Sequence, residues 1–279
     1  MKKKVSPLYW VAVVIFLVLT VGPFVWAFSI SVTPEYEMFK NTMNMFPSEI
    51  TWDNYLTLFD SISQQHIRLF RGLENSLKAV ACTLVIGIPV AAVTAYTLSR
   101  MEFRWKKIIK NAILITMVIP VFATIIPLYR MFSAMELLNS TFWLSMVYAS
   151  SFLPMSIWLM SNYFSTIPRE LEEAALVDGC GRLRTFFRII LPVSYPIICA
   201  SMLIMFLSAW SQFQIPLILA SNIDTKPAAI VASEFMTKDT VLYGITAAAG
   251  MLIILPPAIA ALVFRKLLVR GMTGGSIKG

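Results

Sequence analysis

Charge is what this chain has least of. Only 14% of its 279 residues are Asp, Glu, Lys or Arg, against 58% hydrophobic, whereas soluble domains are roughly half apolar. The charges are also clustered, so residues 5–34, 79–99, 111–129, 137–168, 189–223 and 240–264 carry none, and no histidine either. Proton-coupled carriers and pumps use ionisable side chains at membrane depth as relays, so this absence excludes a self-powered transporter. It equally excludes an intramembrane hydrolase and a catalytic metal centre, since no side chain there would activate a nucleophile or make up a ligand set. No catalytic residue and no metal site are expected.

Other absences narrow the reading further. The three cysteines, Cys82, Cys180 and Cys199, are expected in a span, a cytoplasmic loop and a span, so no disulfide is expected. The phosphate-cradling G-x-x-x-x-G-K-[ST] pattern is missing; the nearest glycine cluster, "GMTGGSIKG", has Lys278 followed by Gly279 with no strand before it. A chain without that loop moves a solute uphill only on energy from another polypeptide, and no cofactor of its own is expected. No internal repeat or low-complexity linker is visible, so residues 1–279 read as a single transmembrane domain.

What is present is six apolar runs. A spanning helix needs about 20 apolar residues, and a charge at its centre costs about 3 kcal/mol. The pattern therefore predicts an all-α membrane protein with six transmembrane helices, at about 8–30, 76–99, 109–131, 142–164, 193–219 and 241–264. Membrane β-strands would alternate apolar and polar residues, which these runs do not. The run from Leu8 to Ile30 exceeds the roughly 7 to 15 residues of a signal-peptide core, so it reads as a retained span despite the "MKKK" before it. Every span contains proline, a residue that removes a backbone hydrogen bond and bends helices.

Orientation follows from Lys and Arg. With both termini cytoplasmic, 16 of the 23 basic residues fall inside, which the positive-inside rule selects. The net charge of +8 is then a topology signal and an affinity for an anionic lipid bilayer, with no nucleic acid implied. This topology leaves extracytoplasmic loops at 34–74 and 221–241, a cytoplasmic loop at 165–191 and a cytoplasmic tail at 265–279.

The cytoplasmic loop reads "IPRELEEAALVDGCGRLRTFFRIILP". Pro168 suits a first helical turn, Glu170, Glu172 and Glu173 favour the positive dipole end, and Gly179 supplies a stop. Leu171, Ala174, Ala175 and Asp178 recur at helical spacing, giving a short helix with a small, smooth face and Glu173 at its side. Such a helix fits a groove on a partner; an amphipathic helix lying on the membrane carries the same pattern.

The run "EEAALVDGCGRLRTFFRIILP" resembles the EAA motif of bacterial ATP-binding-cassette import permeases: E-A-A, then D-G, then I-x-L-P. Glu173, Ala174, Ala175, Asp178, Gly179, Ile189, Leu191 and Pro192 match it. "NSL" at 75–77, "AAVTAYTLSRMEF" at 91–103, "IPLY" at 126–129 and "VRGMTGGSIKG" at 269–279 resemble signatures of the carbohydrate branch, related to the maltose-type permeases. The resemblance implies the type I ABC importer permease fold, with the loop helix docked in a cleft of an ATPase subunit. Glu173 would make the polar contact, Ala174 and Ala175 the close-packed surface, and Asp178 with Gly179 the turn.

That branch typically carries W-N-x-F in its fifth span, and here "AWSQFQIPL" places Ser211 at the asparagine. Trp210 and Phe213 persist, and Gln212 and Gln214 bring amides able to bond sugar hydroxyls. Ser201, Ser208 and Gln212 recur as a polar stripe, although buried serines also bond their own helix carbonyls and glutamine also ties helices together. The candidates for the solute path are Ser208, Trp210, Gln212, Phe213 and Gln214.

The resemblance thus implies the permease subunit of a sugar or oligosaccharide importer in the bacterial cytoplasmic membrane. Its partners would be a second permease in a heterodimer, two ATPase subunits holding ATP and Mg, and an extracytoplasmic solute-binding protein. Alternatives are a permease for an amino acid or phosphate, or a membrane enzyme or assembly factor using the loop helix as scaffold.

Overall fold

The computed structural model describes residues 7–40, 46–236 and 242–273. In chain order the helices are α1 (Pro7–Ser31), α2 (Glu35–Lys40), α3 (Asp53–Phe59), α4 (Gln64–Arg100), α5 (Lys106–Thr116), α6 (Val121–Ala134), α7 (Thr141–Thr166) and α8 (Glu170–Val177). There follow α9 (Arg182–Thr185), a π-helical turn (Phe186–Ile190), α10 (Leu191–Val193), α11 (Tyr195–Trp210), α12 (Gln214–Leu219), α13 (Ala228–Glu234) and α14 (Tyr243–Thr273). Among the described residues no β-strand forms.

Four of these helices contain stretches long and apolar enough to cross a membrane: Leu8–Ser31, Gln64–Arg100, Thr141–Thr166 and Tyr243–Phe264. Two bent pairs raise the number to six if each is counted as one span: α5 with α6, bent by 95°, and Arg182–Val193 with α11, bent by 77°. Prolines sit at both bends. Pro120, at the N-cap of α6, holds φ −69° and ψ 132°, and Pro196 follows Ser194, the residue between α10 and α11. By contrast α1, α4, α6, α7 and α14 continue as helix through their interior prolines, as helices do when the freed carbonyl finds another partner.

The apolar windows therefore read the helices unevenly. Windows 8–30, 76–99 and 142–164 each lie within one helix, and 241–264 lies in α14 from Tyr243 on, with residue 241 outside the described set. Window 109–131 is divided between α5 and α6, and 193–219 is divided after Trp210, where residues 211–213 interrupt the helix. Within the expected loop at 34–74, α4 begins at Gln64.

The described residues form two compact units, the first comprising those up to 73 and those between 228 and 255, the second those between 74 and 227 and those from 256 on. The first unit has a core of Leu58, Leu69, Val231, Phe235, Ile245, Ala248 and Ala249. Gly72 allows α4 to lie directly on α13: a Cβ there would sit 2.9 Å from Val231 Cγ2 and 3.0 Å from Ala228 Cα. After α1 the chain is tied down by polar contacts, with Asn54 Nδ2 donating to the Ser31 carbonyl at 3.0 Å and Ser31 Oγ 2.8 Å from the Tyr55 hydroxyl. Farther along, Glu37 Oε1 accepts the Ser48 N–H at 2.7 Å.

The second unit is held by α4, α7, the π-helical turn and α11. Its core brings Ala91, Ala92, Ala95 and Tyr96 together with Ile157, Met160 and Phe164, then Phe186, Ile190, Ile197, Ala200 and Met205. The small residues let helix backbones approach closely, which is how helices pack where lipid offers no hydrophobic incentive. Thr83 Oγ1 bonds its own helix at Ala79 O, 2.7 Å away, and reaches the Ser145 carbonyl of α7 at 3.3 Å.

Candidate functional site

The loop helix expected around Glu173 is α8, a helix of eight residues. Its first turn carries Glu170, Glu172 and Glu173, where negative charge complements the unpaired N–H groups. Pro168 lies one residue before the N-cap, Arg169. The C-terminal stop is a Schellman motif: the Cys180 N–H donates to the Ala175 carbonyl at 2.8 Å and the Gly179 N–H to the Leu176 carbonyl at 3.0 Å. Gly179 turns the chain at φ +77°, a left-handed conformation that a side chain disfavours.

Exposure divides the motif residues. Glu173, Ala174, Asp178 and Gly179 are exposed, whereas Ala175 is 2% exposed and packs within its own unit. The two alanines therefore do not present one smooth face, because successive helical residues lie about 100° apart. Val177, at 88% exposure, joins Glu173 and Ala174 on the open side.

The carboxylate that turns inward is Glu172. Its Oε1 lies 3.1 Å from Arg100 Nε, and its Oε2 is 3.4 Å from the Tyr96 hydroxyl. The side chains of Arg100 and Glu172 are only 5% and 18% exposed. Nε and Oε1 meet too obliquely for a hydrogen bond, so this contact is a close charge pair. Arg100 Nη2 also donates to the carbonyls of Phe164 and Ile167, in the last turn and C-cap of α7, groups that a helix end leaves without partners. One guanidinium at the end of α4 thus holds the ends of α4 and α7 and the beginning of α8. A cleft of about 130 Å³ opens beside it, lined also by Met101, Leu176, Arg182 and Thr185.

In sequence, Arg100 is a cytoplasmic basic charge and the arginine of "AAVTAYTLSRMEF", and Glu172 is a dipole complement. The available signal was an arginine ending an apolar run and a second glutamate beside Glu173; nothing local paired the two.

The solute-path candidates cluster at the interruption between α11 and α12. Trp210 is buried and stacks on Phe206, ring centroids 5.7 Å apart; Ser208, Gln212 and Gln214 are half-buried, and Phe213 is exposed. Gln212 Oε1 accepts the N–H groups of Phe213 at 3.0 Å and Gln214 at 3.2 Å, so its carbonyl caps the start of α12. Ser211, at the family's asparagine position, returns its hydroxyl to the Leu207 carbonyl at 2.9 Å. Of the serine stripe on α11, Ser201 is fully buried and Ser208 half-buried.

Residues 221–226 are anchored by two asparagines, Asn139 and Asn75. Asn139, in the left-handed conformation at φ 57°, accepts at Oδ1 from the Ser221 N–H at 2.6 Å, the Ser221 hydroxyl at 2.9 Å and the Asn222 N–H at 3.1 Å. Asn75 Nδ2 donates to the carbonyls of Ile223 at 2.8 Å and Lys226 at 3.0 Å.

Among the described residues no group of His, Cys, Asp and Glu is arranged to hold a metal ion. Comparison with known proteins places these features in context. The family model described as "Binding-protein-dependent transport system inner membrane component" matches residues 87–274, which include α8, Arg100 and the α11–α12 interruption. The sulfoquinovosyl glycerol transport system permease protein SmoH of Agrobacterium fabrum is 29% identical over 274 residues, covering 98% of this chain and 94% of the relative. The trehalose/maltose transport system permease protein MalG of Thermococcus litoralis is 25% identical over 270 residues, with 96% and 95% covered. In structure, the chain resembles one from a bacterial ABC transporter involved in import of the acidic polysaccharide alginate, at TM-score 0.76 and 20% identity, over 94% of this chain and 95% of that one.

Proposed function

Because this chain belongs to the family of binding-protein-dependent transport system inner membrane components, we propose that it is the permease subunit of an ATP-driven importer for a sugar or oligosaccharide. The all-helical type I importer permease fold suits that role, and named relatives that transport sulfoquinovosyl glycerol or trehalose and maltose favour a carbohydrate over an amino acid or phosphate. The observation that carries the reading is α8: a short helix, stopped at both ends, that presents Glu173, Ala174 and Val177 outward on a chain with no nucleotide-binding loop of its own.

In this reading residues 1–279 act as one permease domain in the bacterial cytoplasmic membrane, with six spans once each bent pair is counted as one, and both termini cytoplasmic. A second permease forms the other half of the path. Two ATPase subunits hold ATP and Mg, and an extracytoplasmic solute-binding protein delivers the sugar. α8 docks on the ATPase through Glu173, with Ala174, Asp178 and Gly179 shaping the contact and Ala175 fixing the helix from within. When the ATPases close, α8 moves with them and the path alternates its opening. Phe213 offers an aromatic face to sugar C–H surfaces beside Ser208, Gln212 and Gln214, while the buried Trp210, stacked on Phe206, supports them from within.

The test is reconstitution of the whole transporter in proteoliposomes, with uptake measured for a panel of labelled mono- and oligosaccharides and amino acids. ATP-dependent uptake of a sugar, abolished by Glu173→Arg, is expected. Uptake of amino acids alone, or sugar uptake indifferent to that substitution, refutes the corresponding half of the proposal.

A further inference from the structure

We propose that Glu172 and Arg100 form a rigid joint, so that α8 and the ends of α4 and α7 move as a single body when the ATPase pulls on α8. The inference rests on the reading of α8 as the ATPase-docking helix and assigns a division of labour within it. Glu173 faces the partner, and Glu172 is a positioning residue that fastens the helix to the membrane segments.

The geometry supports this in three ways. First, a short helix connected only by its flanking chain would swing; eight residues supply few hydrogen bonds of their own. Second, the Arg100 guanidinium is nearly buried and simultaneously engages the α7 carbonyls and the Glu172 carboxylate. Displacing α8 alone would leave a buried cation without its counter-charge, which is far costlier than breaking an exposed pair. Third, the buried Ala175 packs the same side of α8 inward, so apolar and ionic contacts restrain the helix together. The cleft beside the pair gives Arg182 and Leu176 room around the joint without filling it.

A joint and a mere structural brace make different predictions. A joint transmits displacement, so the distance from α8 to α4 stays constant through the ATP cycle. The experiment uses the full complex in lipid nanodiscs, with spin labels at Val177→Cys on α8 and Val93→Cys on α4, both exposed, after replacing Cys82, Cys180 and Cys199 with alanine. In the otherwise unmodified joint the pair distance is expected to be narrow and unchanged by ATP plus vanadate. In Glu172→Gln, which preserves shape, the distribution broadens and shifts with ATP plus vanadate while the complex still assembles. Arg100→Ala gives the same result.

A nucleotide-dependent shift with Glu172 and Arg100 intact overturns the joint, as does a Glu172→Gln distance that stays narrow and fixed. Failure of Glu172→Gln to assemble overturns it too, since the pair would then hold the fold together rather than transmit motion. The docking reading is judged separately, by immobilisation of the Val177 label when the ATPase subunit is added. A mobile label in the presence of the ATPase refutes docking itself.

Discussion

Glu172 and Glu173 are neighbours in sequence and opposite in circumstance: Glu172 lies 3.1 Å from the guanidinium of Arg100, whereas Glu173 stands exposed on α8. Replacing each by alanine should therefore separate stability from activity. Glu173→Ala should change the stability of the isolated subunit by no more than about 0.5 kcal/mol, as exposed substitutions do, while reducing ATPase association. Glu172→Ala should destabilise by about 3 kcal/mol, because the Arg100 charge stays buried without its partner. Thermal unfolding in detergent micelles and co-purification of the ATPase measure the two effects.

Gly179 makes a prediction of a purely conformational kind. No atom lies within 4 Å of the position a Cβ would take, so Gly179→Ala meets no clash, only the left-handed backbone at φ +77°. A cost of about 1 to 2 kcal/mol follows, concentrated in the last turn of α8. Asparagine, which tolerates that conformation better, should recover part of it. Amide exchange at Cys180 and Gly179 reports the loss directly.

Asn139 should control the order of the segment beginning at Ser221. Asn139→Ala deletes the acceptor for the Ser221 and Asn222 amides, and losing such a bond costs about 1 kcal/mol. Exchange at both amides should accelerate by roughly fivefold at that cost. Helix α11, whose backbone bonds are internal, should exchange as before.

The Glu37–Ser48 contact carries a pH dependence. Accepting the Ser48 N–H holds the Glu37 carboxyl below the usual glutamate range. A depressed folded-state value means that the contact stabilises most fully above the unfolded-state value and is lost as pH falls through the folded one. Ser48 should stay protected from exchange at neutral pH and through the ordinary glutamate range, then lose protection below it. Glu37→Gln should flatten that profile.

Much of the helical layout was legible because a charge in lipid is expensive, so uncharged windows mark helices whatever they pack against. α8 was legible for a different reason: its start and stop are local, written by Glu170, Glu172, Glu173 and Gly179. The breaks after Thr116 and Trp210 were hidden inside uninterrupted apolar runs. Composition there reports the surroundings of the chain, and backbone geometry was signalled only by Pro120 and by Gln212, whose carbonyl caps the next helix. The Arg100–Glu172 pair and the Asn139 clasp were beyond local reading because each joins distant segments. A glutamate with a remote partner and one without look identical in sequence.

The Schellman stop at Gly179 sets the phase of α8 from its C-terminal end. A helix free to lengthen at that end would absorb an extra residue by sliding, but the stop leaves it no slack there. One residue inserted between Glu172 and Glu173 would rotate the outward carboxylate by about 100° and advance it by about 1.5 Å relative to the clasped one. Evolution can thus repaint the open face of α8 by substitution, yet any insertion or deletion within it changes the direction in which that face looks.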